Sequence, residues 1–163
     1  MFLDCRERIS VTGFTDIQRA AMFYVLVKTG FGASLRTFGC NKKRLNTDNF
    51  ADIEARLDGV VIENKDFEDL IKVYDREKAL FYCDPPYHKT ERHYTVKFTE
   101  DDHERLCRVL HQIKGRFVLS YNDDKYVRDL YKDYNIQAVT RNNSLSSGDF
   151  KEVIITNFFL ENK

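Results

Sequence analysis

The sequence predicts an α/β domain with a mainly parallel sheet and an antiparallel edge, preceded by an N-terminal segment of helix and loop. Through most of the chain, apolar runs of strand length alternate with stretches of helical spacing. The last two predicted strands are joined by a loop too short for a crossover helix, which makes that pair antiparallel. With 163 residues and 42% hydrophobic content, the chain can build one domain with a sizeable core.

The first predicted helix has a recognisable start. Thr15 and Gln18 have the spacing of a capping box, and apolar residues follow them for three turns. This pattern predicts a helix over residues 16–29, which Gly30 can end in a left-handed conformation.

The middle of the chain is predicted to contain a loop, two short helices and two strands. The segment 31–44 is rich in glycine, aromatic and basic residues, which is typical of a loop or an irregular hairpin. Helical spacing predicts helices over 49–57 and 66–74. Apolar runs predict strands over 59–63 and 79–83.

The last part of the chain completes the alternation. Thr99 has the form of an N-cap followed by acidic residues, and a helix face follows at Leu106, Val109, Leu110 and Ile113. The remaining predicted elements are a strand at 116–121, a helix at 123–132 and strands at 136–140 and 152–159.

The most informative residues are Asp84-Pro85-Pro86-Tyr87, here called the 84–87 motif, which directly follow the strand at 79–83. The carboxylate of Asp84 and the carbonyl of Pro85 can each accept one N–H from an amino group on a planar ring, which localises the nitrogen lone pair. The two prolines hold that carbonyl outward, because proline fixes φ and has no N–H. Tyr87 offers a flat face to a flipped base. The alternative is a simple turn after a strand.

These residues resemble the amino-methylating DNA methyltransferases, most closely the Dam-type (D12 class) adenine-N6 group, whose motif is Asp-Pro-Pro-Tyr. The resemblance covers about residues 15–160. The other similar stretches are 60–67, 98–99, 102–106, 117–122 and 152–157. The resemblance implies methyl transfer from S-adenosylmethionine to the N6 amine of a flipped adenine in double-stranded DNA.

The resemblance also implies a fold and roles for individual residues. The fold is the closing half of a Rossmann-like class I S-adenosylmethionine-dependent methyltransferase sheet at 59–163, preceded by a target-recognition segment at 1–58. In the 84–87 motif, the first two residues orient and activate the adenine amine, Pro86 shapes the turn and Tyr87 stacks on the base. Asp66 and Phe67 are implied to contact the adenine of the cofactor.

One part of the family pattern is missing from the sequence. The family has a Phe-x-Gly-x-Gly cofactor turn after its first strand and an acidic residue after its second, and the 163 residues contain no such arrangement. In the family order 3-2-1-4-5-7-6, the segments 59–63 and 79–83 correspond to strands three and four. We therefore expect a second chain or an N-terminal segment to supply the glycine-rich motif, and this chain to be weak or inactive alone.

Charge is unevenly distributed although the net charge is zero. The segment 17–47 holds six basic residues and no acidic one, whereas 48–69 holds eight acidic and two basic residues. A local basic segment predicts contact with the DNA backbone, and a solvated loop is the alternative. The predicted DNA-binding residues are Lys28, Arg36, Lys42, Lys43 and Arg44.

Composition excludes several other classes of site. The four cysteines have no Cys-x-x-Cys spacing, and the histidines lack metal-ligand spacing, with His103 and His111 expected on the exposed face of a helix. We expect no metal, no membrane segment and a cytoplasmic location. Two alternatives stay open: a non-catalytic nucleic-acid-binding or interaction remnant, and an RNA or protein amide methyltransferase, against which Asp84 argues because such sites have Asn there.

Overall fold

The computed structural model describes residues 1–31, 35–39, 50–90, 97–142 and 149–159. The chain divides into two compact units, Met1–Ile62 and Glu63–Lys163. In their described parts, the first unit is helical, whereas the second contains a four-stranded sheet and three helices.

The described part of the first unit contains three helices. They are α1 (Phe2–Arg8), α2 (Asp16–Thr29) and α3 (Phe50–Leu57). The capping box of α2 is present, because Thr15 Oγ1 accepts the Gln18 N–H and Gln18 Oε1 accepts the Thr15 N–H. This confirms the predicted helix at 16–29. Helix α1 was not predicted, and its buried Phe2 packs against the ring of Phe38 at a centroid distance of 5.6 Å.

The end of α2 differs from the prediction. Gly30 has φ −76° and ψ 149°, so the expected left-handed conformation is wrong and the residue is extended. The reason is an antiparallel bridge between Gly30 and Phe38, supported by the Phe31 N–H, which donates to the Thr37 carbonyl at 2.9 Å. These contacts agree with the predicted loop or irregular hairpin at 31–44 as far as its described residues, 31 and 35–39, go.

The second unit alternates helices and strands. In chain order its elements are α4 (Phe67–Tyr74), β1 (Leu80–Cys83), α5 (Glu100–Gln112), β2 (Arg116–Asn122), α6 (Lys125–Leu130), β3 (Asn135–Asn142) and β4 (Asp149–Thr156). Each corresponds to a predicted element. The largest boundary error is in β4, which begins and ends three residues before the predicted strand at 152–159.

The sheet is less parallel than predicted. Its strand order is β1-β2-β4-β3, with β1 and β2 parallel and β4 antiparallel to both of its neighbours. The prediction of a mainly parallel sheet is therefore wrong for the described strands. The predicted antiparallel pairing of the last two strands is confirmed, and it places β4 between β2 and β3, where it adds a second antiparallel pair.

The predicted strand at 59–63 is absent from the structure. Residues 60–64 have no regular secondary structure, and the side chains of Val61 and Ile62 are 73% and 80% exposed. A strand forms only when a neighbour completes its hydrogen bonds, and no described strand lies beside this segment. The described strands also leave one edge of β1 unpaired, because β2 is its single neighbour among them. The side chains of Leu80 and Tyr82 on β1 are exposed.

The core of the second unit joins the central strands to the helices. β2 contributes Phe117, Leu119 and Tyr121, all fully buried. The other buried core residues are Ile71, Leu106, Val109, Leu110, Val127, Tyr131, Val153 and Ile155. Because β2 is anchored in this core, the residues at its carboxyl end have fixed positions.

We expect Gly115→Ala to destabilise the second unit. A Cβ at this position would lie 2.7 Å from the Ala79 carbonyl oxygen and 2.9 Å from that of Arg76, both of which are backbone atoms. Overpacking of this kind costs about 1–3 kcal/mol. Urea unfolding measures the loss, and Lys114→Ala, an adjacent exposed position, should change the free energy of unfolding by less than about 0.5 kcal/mol. Equal stability of the two variants would contradict this packing.

Candidate active site

The 84–87 motif lies at the carboxyl end of β1. Because β1 and β2 are parallel and Cys83 is paired with Leu119, Asp84 comes alongside Ser120. The Ser120 hydroxyl donates to Asp84 Oδ1 at 2.8 Å. Ser120 is buried, whereas Asp84 is exposed, so the carboxylate is held from the sheet side and open to solvent.

A cavity of about 290 Å³ opens beside the motif. It is lined by Asp84 and Pro85 at the end of β1, by Phe67 on α4 and by Phe98 before α5. The structure therefore brings the two predicted amine-activating residues and one predicted cofactor residue to one cavity. A larger open cavity of about 610 Å³ lies in the first unit beside α1 and α2, but none of the predicted site residues that the structure describes lines it.

Asp66 fixes the start of α4. Its Oδ1 accepts the backbone N–H of Glu68 at 2.9 Å, and both of its oxygens accept hydrogen bonds of 3.0 Å from the Arg105 guanidinium. The ion pair with Arg105, with help from the Glu68 N–H, holds the pKa of Asp66 below its ordinary value. In this structure the Asp66 carboxylate caps the start of α4 and forms the ion pair with Arg105.

Arg105 connects Asp66 to the aromatic lining of the cavity. Its guanidinium carbon lies 4.2 Å from the centroid of the Phe67 ring, within the range of a cation–π contact. Phe67 also packs against Phe98 at a centroid distance of 5.9 Å. Sequence reasoning missed Arg105, because its partners are 38 and 39 residues away in the chain.

Tyr87 is half-buried and held by two strands. Its hydroxyl donates to Glu152 Oε1 on β4 at 3.1 Å. The centroid of its ring lies 6.1 Å from the centroid of the Tyr121 ring on β2. Burial raises the pKa of Tyr87 to about 12, so the phenol stays protonated at neutral pH. Stacking of Tyr87 on a base remains a prediction.

The two residues after the motif, His88 and Lys89, both contact the carboxylate of Asp124. His88 Nδ1 and Lys89 Nζ lie 3.1 and 3.0 Å from its two carboxylate oxygens, and Asn122 Nδ2 donates to the His88 carbonyl. Partial burial works to raise the pKa of Asp124, but the bonds from Lys89 and the Tyr126 N–H hold it below its ordinary value. Lys89 has φ +66°, an uncommon conformation for a residue with a side chain.

One histidine prediction was wrong. His103 is 1% exposed, and its Nδ1 is 2.6 Å from the Tyr121 hydroxyl in the core. It occupies the same face of α5 as Leu106, three residues later, which is the buried face. Across the described ranges, no group of three or more His, Cys, Asp or Glu side chains is arranged to hold a metal ion.

Cys83, at the end of β1, is a free, partly buried cysteine. Burial raises the pKa of its thiol to about 11, which keeps it protonated at neutral pH. In the described part of the chain, no helix is both long enough and apolar enough to cross a bilayer.

The predicted DNA-binding residues are only partly described. Lys28 lies in the last turn of α2, with its Nζ 5.7 Å from the centroid of the Tyr24 ring. Arg36 is exposed, and its carbonyl accepts a hydrogen bond from Arg6. Lys42, Lys43 and Arg44 lie outside the described residues.

A mixed α/β fold with a four-stranded sheet, and with the 84–87 motif beside a partly aromatic cavity, is consistent with a methyltransferase domain. Residues 8–145 match the D12 class N6 adenine-specific DNA methyltransferase family, and the chain belongs to that family. This match supports a general role in DNA adenine methylation, for which the family implies S-adenosylmethionine as methyl donor. Comparison with individual curated proteins found no significant match.

Proposed function

We propose that this chain is the catalytic part of a DNA methyltransferase that methylates the N6 amine of an adenine flipped out of the duplex. The observation that carries the proposal is the position of Asp84 and Pro85 on the cavity that Phe67 also lines. A carboxylate and a carbonyl at one strand end provide two acceptors for the two N–H groups of an aromatic amine.

Asp84 and Pro85 act on the amine by hydrogen bonding. Accepting both N–H groups draws the nitrogen lone pair out of conjugation with the ring and stabilises the positive charge that develops on nitrogen during transfer. Formation of the bond from nitrogen to the methyl carbon would be balanced by cleavage of the bond between that carbon and the donor sulfur, which would leave as a neutral thioether. The Asp84 carboxylate would take the proton that the nitrogen then loses. Tyr87 stacks on the flipped adenine.

The residues present fit the adenine part of S-adenosylmethionine. Phe67 and Phe98 give the cavity flat apolar walls, and about 290 Å³ is room for a heteroaromatic ring rather than for the whole cofactor. When bound, the cofactor supplies the electrophilic methyl group. We propose that Phe67 contacts its adenine, and that Asp66 does so directly or through the ion pair with Arg105 that orders the turn.

The strand arrangement supports the finer fold assignment. The order β1-β2-β4-β3 with β4 antiparallel corresponds to positions 4-5-7-6 of the class I order 3-2-1-4-5-7-6. On this proposal the sheet is the closing half of a Rossmann-like methyltransferase sheet. Because the sequence contains no Phe-x-Gly-x-Gly turn, the proposal includes a second chain or segment that supplies it.

The test is methyl transfer with product identification. The chain is incubated with S-adenosylmethionine labelled in its methyl group, alone or with a polypeptide that carries the glycine-rich half, and with duplex DNA, RNA or protein as acceptor. We expect label in N6-methyladenine of DNA when the glycine-rich half is present, and far less without it. Label in RNA or protein would favour the alternative substrates, and DNA binding without transfer in both arms would favour a non-catalytic remnant.

A further inference from the structure

Ser120 is a buried polar residue near the carboxyl end of β2. It is 5% exposed and lies on β2 between Leu119 and Tyr121, which are fully buried. A hydroxyl in such a position destabilises the fold unless it is hydrogen-bonded. Its hydroxyl donates to Asp84 Oδ1 at 2.8 Å, whereas the Cys83 carbonyl lies at 3.5 Å, the limit of a hydrogen bond. The short contact is therefore to the side chain that the proposed reaction uses.

We propose that Ser120 is a positioning residue for Asp84, and this proposal rests on the proposed function. By donating its proton to Oδ1, Ser120 fixes the plane of the carboxylate and directs Oδ2 toward the amine of the substrate. Asp84 is exposed and follows the last residue of β1, so backbone pairing alone does not fix its side-chain torsions. An acceptor that is held in place costs less reorganisation when charge develops on nitrogen.

The last residue of the motif is also held by a core strand. The Tyr87 hydroxyl donates to Glu152 Oε1 at 3.1 Å. Glu152 is 7% exposed and lies on β4, which is paired with β2. Two core strands therefore hold both the first and the last residue of the 84–87 motif, β2 through Ser120 and β4 through Glu152.

The test compares Ser120→Ala and Ser120→Thr with the unmodified chain, assembled with the glycine-rich half. A hydrogen bond to a charged group corresponds to about a 10- to 100-fold effect, so we expect kcat to fall by that factor in Ser120→Ala. The KM values for DNA and cofactor should stay unchanged, since on this proposal the hydroxyl acts through Asp84 and binds neither ligand. The melting temperature should also stay unchanged, because the exposed Asp84 carboxylate can be solvated instead. Ser120→Thr, which keeps the hydroxyl, should recover most of kcat. Ser10→Ala, at an exposed serine of the first unit, is the control.

A second measurement does not depend on turnover. The side-chain carboxyl ¹³C resonance of Asp84, assigned by its loss in Asp84→Asn, should shift in Ser120→Ala and stay in place in Ser10→Ala. An unmoved resonance, or an unchanged kcat in Ser120→Ala, would overturn the proposal. If the unmodified assembly transfers no methyl group while the resonance still responds, the proposed function fails and the Ser120–Asp84 contact stands.

Discussion

Asp84→Ala is expected to abolish methyl transfer while leaving the fold intact. The carboxylate is one of two proposed acceptors for the adenine amine, and loss of one such group costs roughly 10²–10³ in rate or more. Asp84 is exposed, and after its removal the Ser120 hydroxyl can still donate to the Cys83 carbonyl, 3.5 Å away, so we expect the core packing to stay unchanged. Methyl incorporation into duplex DNA by the assembled enzyme, measured beside a melting curve, checks both parts.

Two further variants make the result specific. Asp84→Asn keeps an acceptor oxygen but no charge, so we expect a rate between those of the unmodified enzyme and Asp84→Ala. Asp58→Ala makes the same charge change at an exposed position in the first unit and should have no effect. Full activity in Asp84→Ala with an unchanged melting curve would remove Asp84 from the mechanism.

Local sequence patterns predicted most of the elements because their causes are local. The capping box of Thr15 and Gln18 starts α2 in the structure, and helical spacing located α4 and α5. The prediction of a strand at 59–63 was wrong for the opposite reason. The apolar pattern can be seen in the local sequence, but a strand also needs a neighbouring strand for its hydrogen bonds, and the described residues do not provide one. Gly30 likewise is extended because Phe38 pairs with it.

The candidate site divides in the same way. The 84–87 motif is contiguous, so it could be recognised from the sequence alone. The parallel pairing of β1 and β2 then determines which residues lie next to it in the structure. The residues that hold it could not be found in the same way, because their partners are distant in the chain. Ser120 is 36 residues from Asp84, and Glu152 is 65 residues from Tyr87. Ser120 and Glu152 each stand in an apolar strand, a signal that could have pointed to buried polar partners but not to which residues they are.

The DNA-binding prediction concerns Lys42, Lys43 and Arg44, which stand in a segment with six basic residues and no acidic one. Replacing all three with Ala should weaken binding to duplex DNA at every sequence, because backbone contacts carry no base specificity. Each neutralised phosphate contributes about 0.9 to the slope of log affinity against log salt, so replacing three phosphate-binding side chains should flatten the slope by about 2.7. Fluorescence anisotropy over a series of salt concentrations measures the slope.

A matched triple variant separates this effect from a general loss of charge. Lys78, Lys114 and Lys132 are exposed, and the first two precede β1 and β2, at the opposite strand ends from the 84–87 motif. Their replacement with Ala changes the net charge by the same amount but should leave the slope nearly unchanged. The same slope in both triple variants would show that the three residues at 42–44 belong to a solvated loop, and that the phosphate contacts lie elsewhere in the chain.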